Sequence, residues 1–81
     1  MSTQDKIERF IVDEISAGSR TDIDLDEPLI ASGILDSLAL LRLITFIEQE
    51  FGLAIGDGDV GPENFDTVRR IAAFLDKRKT S

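Results

Sequence analysis

Apolar residues recur at helical spacing in three stretches of the chain, separated by segments in which they are scattered. Ile7, Phe10, Ile11 and Ile15 mark a first helix, with Ser2 or Thr3 placed to cap it and Gly18 placed to end it. A second helix is predicted from Ser37 to Phe51, with Gly52 as its stop. Pro62 suits the first position of a short helical turn reaching Phe65. Asp66 or Thr67 then caps a last helix carrying Val68, Ile71, Ala72, Phe74 and Leu75. No alternation of the kind a strand needs competes with these helices, and the chain has no repeat or low-complexity segment.

Residues 19–36 make a long connection for so short a chain. Ile23, Leu25, Leu29, Ile30, Ile34 and Leu35 punctuate it, which predicts an ordered loop anchored across the helices with its aspartates facing water. The expected fold is therefore all-α: a small four-helix bundle of three main helices and one short one, with a long ordered loop between helices 1 and 2. Residues 1–81 are expected to form a single domain.

The helix after Ser37 carries more apolar surface than a bundle core needs. At about 100° per residue, a buried face centred on Ile47 includes Leu40, Leu43, Ile44 and Phe51 within about 60°. Leu38 falls on the opposite side and Leu41 about 120° off centre, beside an outer face of Arg42, Thr45 and Gln49. Leu38 and Leu41 are thus expected at the surface. Scattered exposed leucines are normal, and these two could instead pack on the crossover loop. Two together beside Ser37 suggest a partner-docking patch.

Composition narrows the chemistry. The chain has no Cys, His, Trp or Tyr, so it lacks thiol nucleophiles, the usual zinc ligands and the commonest general base. Ser37 as a nucleophile would have no histidine to activate it, and no lysine stands at a recognisable spacing. The chain is not expected to be an enzyme or to bind a metal. Asp22-Ile23-Asp24-Leu25-Asp26 imitates the start of a calcium loop, but Glu27 occupies the required glycine position and Gly33 the bidentate glutamate position. Asp57-Gly58-Asp59 fails in the same way, with Pro62 and Val68 at those positions.

The net charge of −7 is unevenly spread. Residues 21–66 hold eleven acids and one base, Arg42, whereas Arg69, Arg70, Lys77, Arg78 and Lys79 near the C-terminus face only Asp76. The acidic middle disfavours nucleic acid and anionic membranes and favours basic protein surfaces, although solubility alone explains it as well. With no long apolar stretch and no signal-like N-terminus, a cytoplasmic protein without membrane insertion is expected.

Asp36 and Ser37 are ordinary residues for a helix start, and a serine there often only caps. The alternative is that its hydroxyl bears a phosphate diester, which the free N–H groups and positive end of a helix favour.

An ordered set of motifs decides between these readings. Leu35-Asp36-Ser37-Leu38 is followed one helix later by Glu48-Gln49-Glu50-Phe51-Gly52. Pro62-Glu63-Asn64-Phe65-Asp66-Thr67-Val68 then precedes Ile71-Ala72-Ala73-Phe74-Leu75. In this order and spacing the chain resembles the acyl carrier proteins, over residues 5–76. The resemblance implies that Ser37 is the attachment point of 4′-phosphopantetheine, transferred from coenzyme A by a phosphopantetheinyl transferase. It implies a phosphoprotein whose arm carries an acyl group as a thioester. Partner-binding is expected at Asp36, Leu38, Leu41 and Thr45, where the second helix of the family meets its enzymes.

Peptidyl carriers often have a Gly-Gly pair near the serine, where this chain has Leu35-Asp36. Housekeeping fatty-acid carriers keep the second helix acidic, where this chain has Ala39, Leu40 and Arg42. The run from Ser32 to Leu38 is closer to discrete specialised carriers of the D-alanyl or aminoacyl type. The expected partners are the transferase, an acyl- or aminoacyl-activating ligase and a downstream acyltransferase or synthase, with the carrier a monomer. A fatty-acid or polyketide carrier, and an unmodified helical interaction module, are the alternatives.

Overall fold

The computed structural model describes residues 2–16 and 22–80. Four α-helices follow one another: α1 (Thr3–Phe10), α2 (Ser37–Phe51), α3 (Pro62–Phe65) and α4 (Val68–Thr80). Among the described residues there is no strand, so the fold is the all-α bundle the sequence predicts. No helix among them is long and apolar enough to cross a membrane.

Helix boundaries follow from caps. Ser2 Oγ accepts from the Asp5 amide at 3.2 Å and so starts α1. The chain continues beyond Phe10 as a π-helical turn, Ile11–Ile15, instead of the uninterrupted α-helix expected there. Gly18, the predicted stop, lies outside the described residues. Helix α2 ends at Gly52, whose φ of 65° is left-handed and whose N–H donates to the Glu48 carbonyl at 3.0 Å. A glycine carries no Cβ to oppose that conformation. Pro62 opens α3 as expected, where its missing N–H costs nothing.

The core joins all four helices to the crossover. Ile7, Ile11, Leu43, Ile47, Phe65, Val68, Ile71 and Leu75 are fully buried, and Ile23, Leu29 and Leu35 of the connection enter the same cluster. Leu25, Ile30 and Ile34 pack on it from the outside. The anchoring read from the sequence is therefore correct for all six loop side chains. Helices α1 and α3 each pack on α4. Phe10 stacks on Phe46 with ring centroids 4.3 Å apart, tying α1 to α2.

The fully buried phenylalanine is Phe65 of α3. Phe51, expected in the core stripe of α2, is only half-buried, with the Lys6 ammonium 5.4 Å from its ring centroid. Its place in the last turn of α2 puts it at the margin of the bundle.

Candidate functional site

Asp36 is the N-cap of α2 and Ser37 its first helical residue. The Asp36 carboxylate accepts from the Ala39 amide at 2.8 Å, and its carbonyl accepts from the Leu40 amide at 2.8 Å. Capping therefore falls to Asp36, which leaves the exposed Ser37 side chain without that duty. The amides of Ser37 and Leu38 are among the first N–H groups of α2, which an α-helix leaves without internal acceptors. They add to the positive end of the helix macrodipole at this point.

A turn of the crossover delivers this pair. Gly33, at a φ of 86°, bends the chain, its N–H donating to the Ile30 carbonyl at 3.1 Å, while the Leu35 amide donates to the Leu29 carbonyl at 2.9 Å. Buried Leu29 and Leu35 root both ends of the turn. The turn in turn is stitched to the junction of α3 and α4. The Asp66 carboxylate accepts from the Ile30 amide at 3.1 Å, and the Asp66 carbonyl accepts from the Leu29 amide at 2.6 Å. In the other direction, the Arg69 amide donates to the Leu25 carbonyl at 3.1 Å. The Arg69 guanidinium donates to both carboxylate oxygens of Asp26, at 2.8 and 3.3 Å.

Sequence reasoning offered Asp66 or Thr67 as the cap of α4. Thr67 takes that role, its hydroxyl accepting from the Arg70 amide at 3.0 Å. Asp66 holds the loop instead, a function sequence reasoning missed. The signal was there: two capping residues in tandem are one more than a helix needs.

The outer face of α2 is as the helical arithmetic predicts. Leu38 is 69% and Leu41 59% exposed, the large hydrophobic side chains most open to solvent among the described residues. Thr45 is exposed, and its hydroxyl donates to the Leu41 carbonyl at 3.0 Å. Asp36, Leu38, Leu41 and Thr45 thus all lie at the surface, within eight residues of Ser37. Leu38 and Leu41 do not fold back onto the crossover loop.

The calcium-like run is otherwise engaged. Asp22 accepts from the Ile23 amide at 2.8 Å, Asp24 from the Asp26 amide at 2.8 Å, and Asp26 is paired with Arg69. Hydrogen bonding to Arg69 holds the Asp26 carboxyl below its ordinary range. On α1, burial pushes Glu8 above the usual carboxylate value, reinforced by a hydrogen bond and charge repulsion from Asp22. Among the described residues no cluster of acids is arranged to hold a metal ion.

Comparison with known proteins bears directly on this site. Residues 6–75 match the family model described as a phosphopantetheine attachment site. The chain is 30% identical over 76 residues to the probable acyl carrier protein PigG of a Serratia species, covering 94% of this chain and 87% of that one. It is 40% identical over 55 residues to the D-alanyl carrier protein of Abiotrophia defectiva, covering 68% and 70%. A solved structure titled as an FAD-dependent dehydrogenase includes a chain that superposes with a TM-score of 0.79 at 35% identity. That match covers 85% of this chain and 97% of the other. With a carrier's fold, and a family model matched over nearly its whole length, the chain belongs to the acyl carrier protein family, whose members are carriers rather than enzymes and bear covalently bound 4′-phosphopantetheine.

Proposed function

We propose that Ser37 is the attachment point of the 4′-phosphopantetheine. The chain then carries an acyl or aminoacyl group as a thioester between partner enzymes of a specialised pathway. The observation that carries this reading is an exposed serine at the first position of α2, relieved of capping by its neighbour Asp36. A phosphodiester on its hydroxyl fits what surrounds it. The first amides of the helix and the positive helix end favour an anion there. When attached, the group supplies a thiol on a long arm, which this chain has no cysteine to provide. The protein's part is to present the arm, through a cap and a pinned loop. It has no cysteine to compete for the cargo and no histidine to act as a base against it. Tethering raises the local concentration of cargo at each enzyme the carrier visits.

Asp36, Leu38, Leu41 and Thr45 form the docking face for the transferase, a loading ligase and a downstream acyltransferase or synthase. The likeness to a D-alanyl carrier supports an aminoacyl cargo. The likeness to a chain in a structure titled as an FAD-dependent dehydrogenase supports such a dehydrogenase among the partner enzymes. The carrier acts as a single-domain monomer in the cytoplasm.

Intact-mass measurement with coenzyme A and a broad-specificity phosphopantetheinyl transferase tests the attachment. One phosphopantetheine is gained by the wild type and none by Ser37→Ala. The variant keeps its cap, so its melting temperature stays near that of the wild type, whereas Asp36→Ala loses about 1 kcal/mol. A gain that persists in folded Ser37→Ala, or no gain by folded wild type, overturns the proposal.

A further inference from the structure

The exposed face of α2 has a charge pattern unlike the rest of the acidic middle region. At about 100° per residue, Leu38, Leu41, Arg42, Thr45 and Gln49 share an arc of about 100°, and Ser37 lies about 40° from Leu41 at its edge. All of them are exposed. From Ser37 to Ile47 there is no carboxylate, and Arg42 is the sole charge, although residues 21–66 hold eleven acids. Apart from Asp36, whose carboxylate is engaged by the Ala39 amide as the helix cap, acid is thus missing from the first three turns of α2 beside Ser37.

Arg42 is held loosely. Its guanidinium lies 3.8 Å from the Glu14 carboxylate, with the two side chains 48% and 59% exposed. So long and open a pair contributes little and is easily exchanged. A guanidinium offers a planar fork that matches a carboxylate with two parallel bonds. Next to it, Leu38 and Leu41 present apolar surface whose burial favours association.

From this we infer that the enzyme surface docking on α2 combines an apolar recess for Leu38 and Leu41 with a carboxylate that takes Arg42 over from Glu14. A surface dense in lysine and arginine is selected against there, because it meets Arg42 with like charge and finds no acid from Ser37 to Ile47. The inference rests on the proposed role of Ser37 and specifies the partner that role requires.

The test uses the full apo chain, coenzyme A and two transferases, one of broad specificity and one whose carrier-binding surface is basic. Arg42→Glu, Arg42→Gln and Glu14→Gln are compared with wild type after thermal melts establish that each is folded. With the broad-specificity enzyme, Arg42→Glu raises KM about tenfold at unchanged kcat, and Arg42→Gln raises it about threefold. Glu14→Gln lowers KM about twofold by freeing Arg42, a change that mere damage to the surface does not produce. With the basic enzyme, Arg42→Glu lowers KM instead. An unchanged or lower KM for Arg42→Glu with the broad-specificity enzyme overturns the inference while leaving Ser37 in place. Absence of modification of folded wild type by both enzymes overturns the Ser37 reading and this inference with it.

Discussion

Asp66 is the side chain through which one end of the bundle holds the loop that presents Ser37, and Asp66→Ala measures how much that hold contributes. The substitution removes an ionised acceptor from the Ile30 amide, 3.1 Å away, on a half-buried residue. The second contact, to the Ala31 amide at 3.5 Å, is too long to add much. The backbone bond from the Leu29 amide to the Asp66 carbonyl survives any side-chain change. One hydrogen bond to a charged group contributes about 1.5–3 kcal/mol, so the expected loss is about 2 kcal/mol. For a chain of this size each kcal/mol moves the melting temperature by about 4–8 °C, which places the shift near 8–16 °C. Asp66→Asn keeps a neutral acceptor and should lose about half as much.

The assay is thermal melting together with amide exchange. Exchange at Ile30 and Leu35 should accelerate by more than the global loss of stability accounts for, whereas Leu43 and Ile71 should follow the global loss alone. Helix α4 should keep its start, because Thr67 still caps it. A melting temperature within about 2 °C of wild type, with Ile30 protection unchanged, refutes the reasoning.

The two phenylalanines at the ends of the core separate burial from sequence pattern. Phe65→Ala should cost about 3–5 kcal/mol through a fully enclosed cavity, and half-buried Phe51→Ala only about 1 kcal/mol, measured by denaturant unfolding; equal losses would contradict the assignment. Acid should act on two carboxyls in opposite directions. The Asp26 carboxyl is held below its unfolded value by Arg69, so its contribution is present above that value and is lost as pH falls through the folded pKa. Asp26→Asn should therefore lower stability at neutral pH and cease to differ from wild type in strong acid. Glu8 is raised, so what it contributes is present below its unfolded value and lost as pH rises through the folded one. Glu8→Gln should stabilise at neutral pH, with the difference vanishing in acid.

Local chemistry made most of the bundle legible in the sequence. Helical periodicity located the helices, and residues whose backbone preferences are strong marked their ends: Ser2, Asp36, Gly52 and Pro62 act where they stand. The outer face of α2 was equally readable, because Leu38 and Leu41 sit opposite a buried stripe fixed by the 3.6-residue turn. The proposed role of Ser37 came instead from the resemblance to acyl carrier proteins, since Asp36 and Ser37 by themselves read only as a helix start. Which of them caps was not, since both residue types can do so and only backbone geometry chooses Asp36.

What tertiary structure decided concerns partners distant in sequence. Asp66 and Ile30 lie 36 residues apart, and Asp26 and Arg69 lie 43 apart. No periodicity or motif encodes such pairs, because they depend on how the crossover lies across the packed helices. The burial of Phe65 over Phe51 has the same origin. Both occupy apolar positions on helices, but α3 lies against α4 inside the bundle, whereas the last turn of α2 reaches its rim. Interactions spanning a few residues thus made the four α-helices and the exposed face around Ser37 readable from the sequence, but not the π-helical turn that follows Phe10. The pinned loop that holds Ser37 in place came only with the assembled core, because its hydrogen bonds form when remote segments have already been brought together.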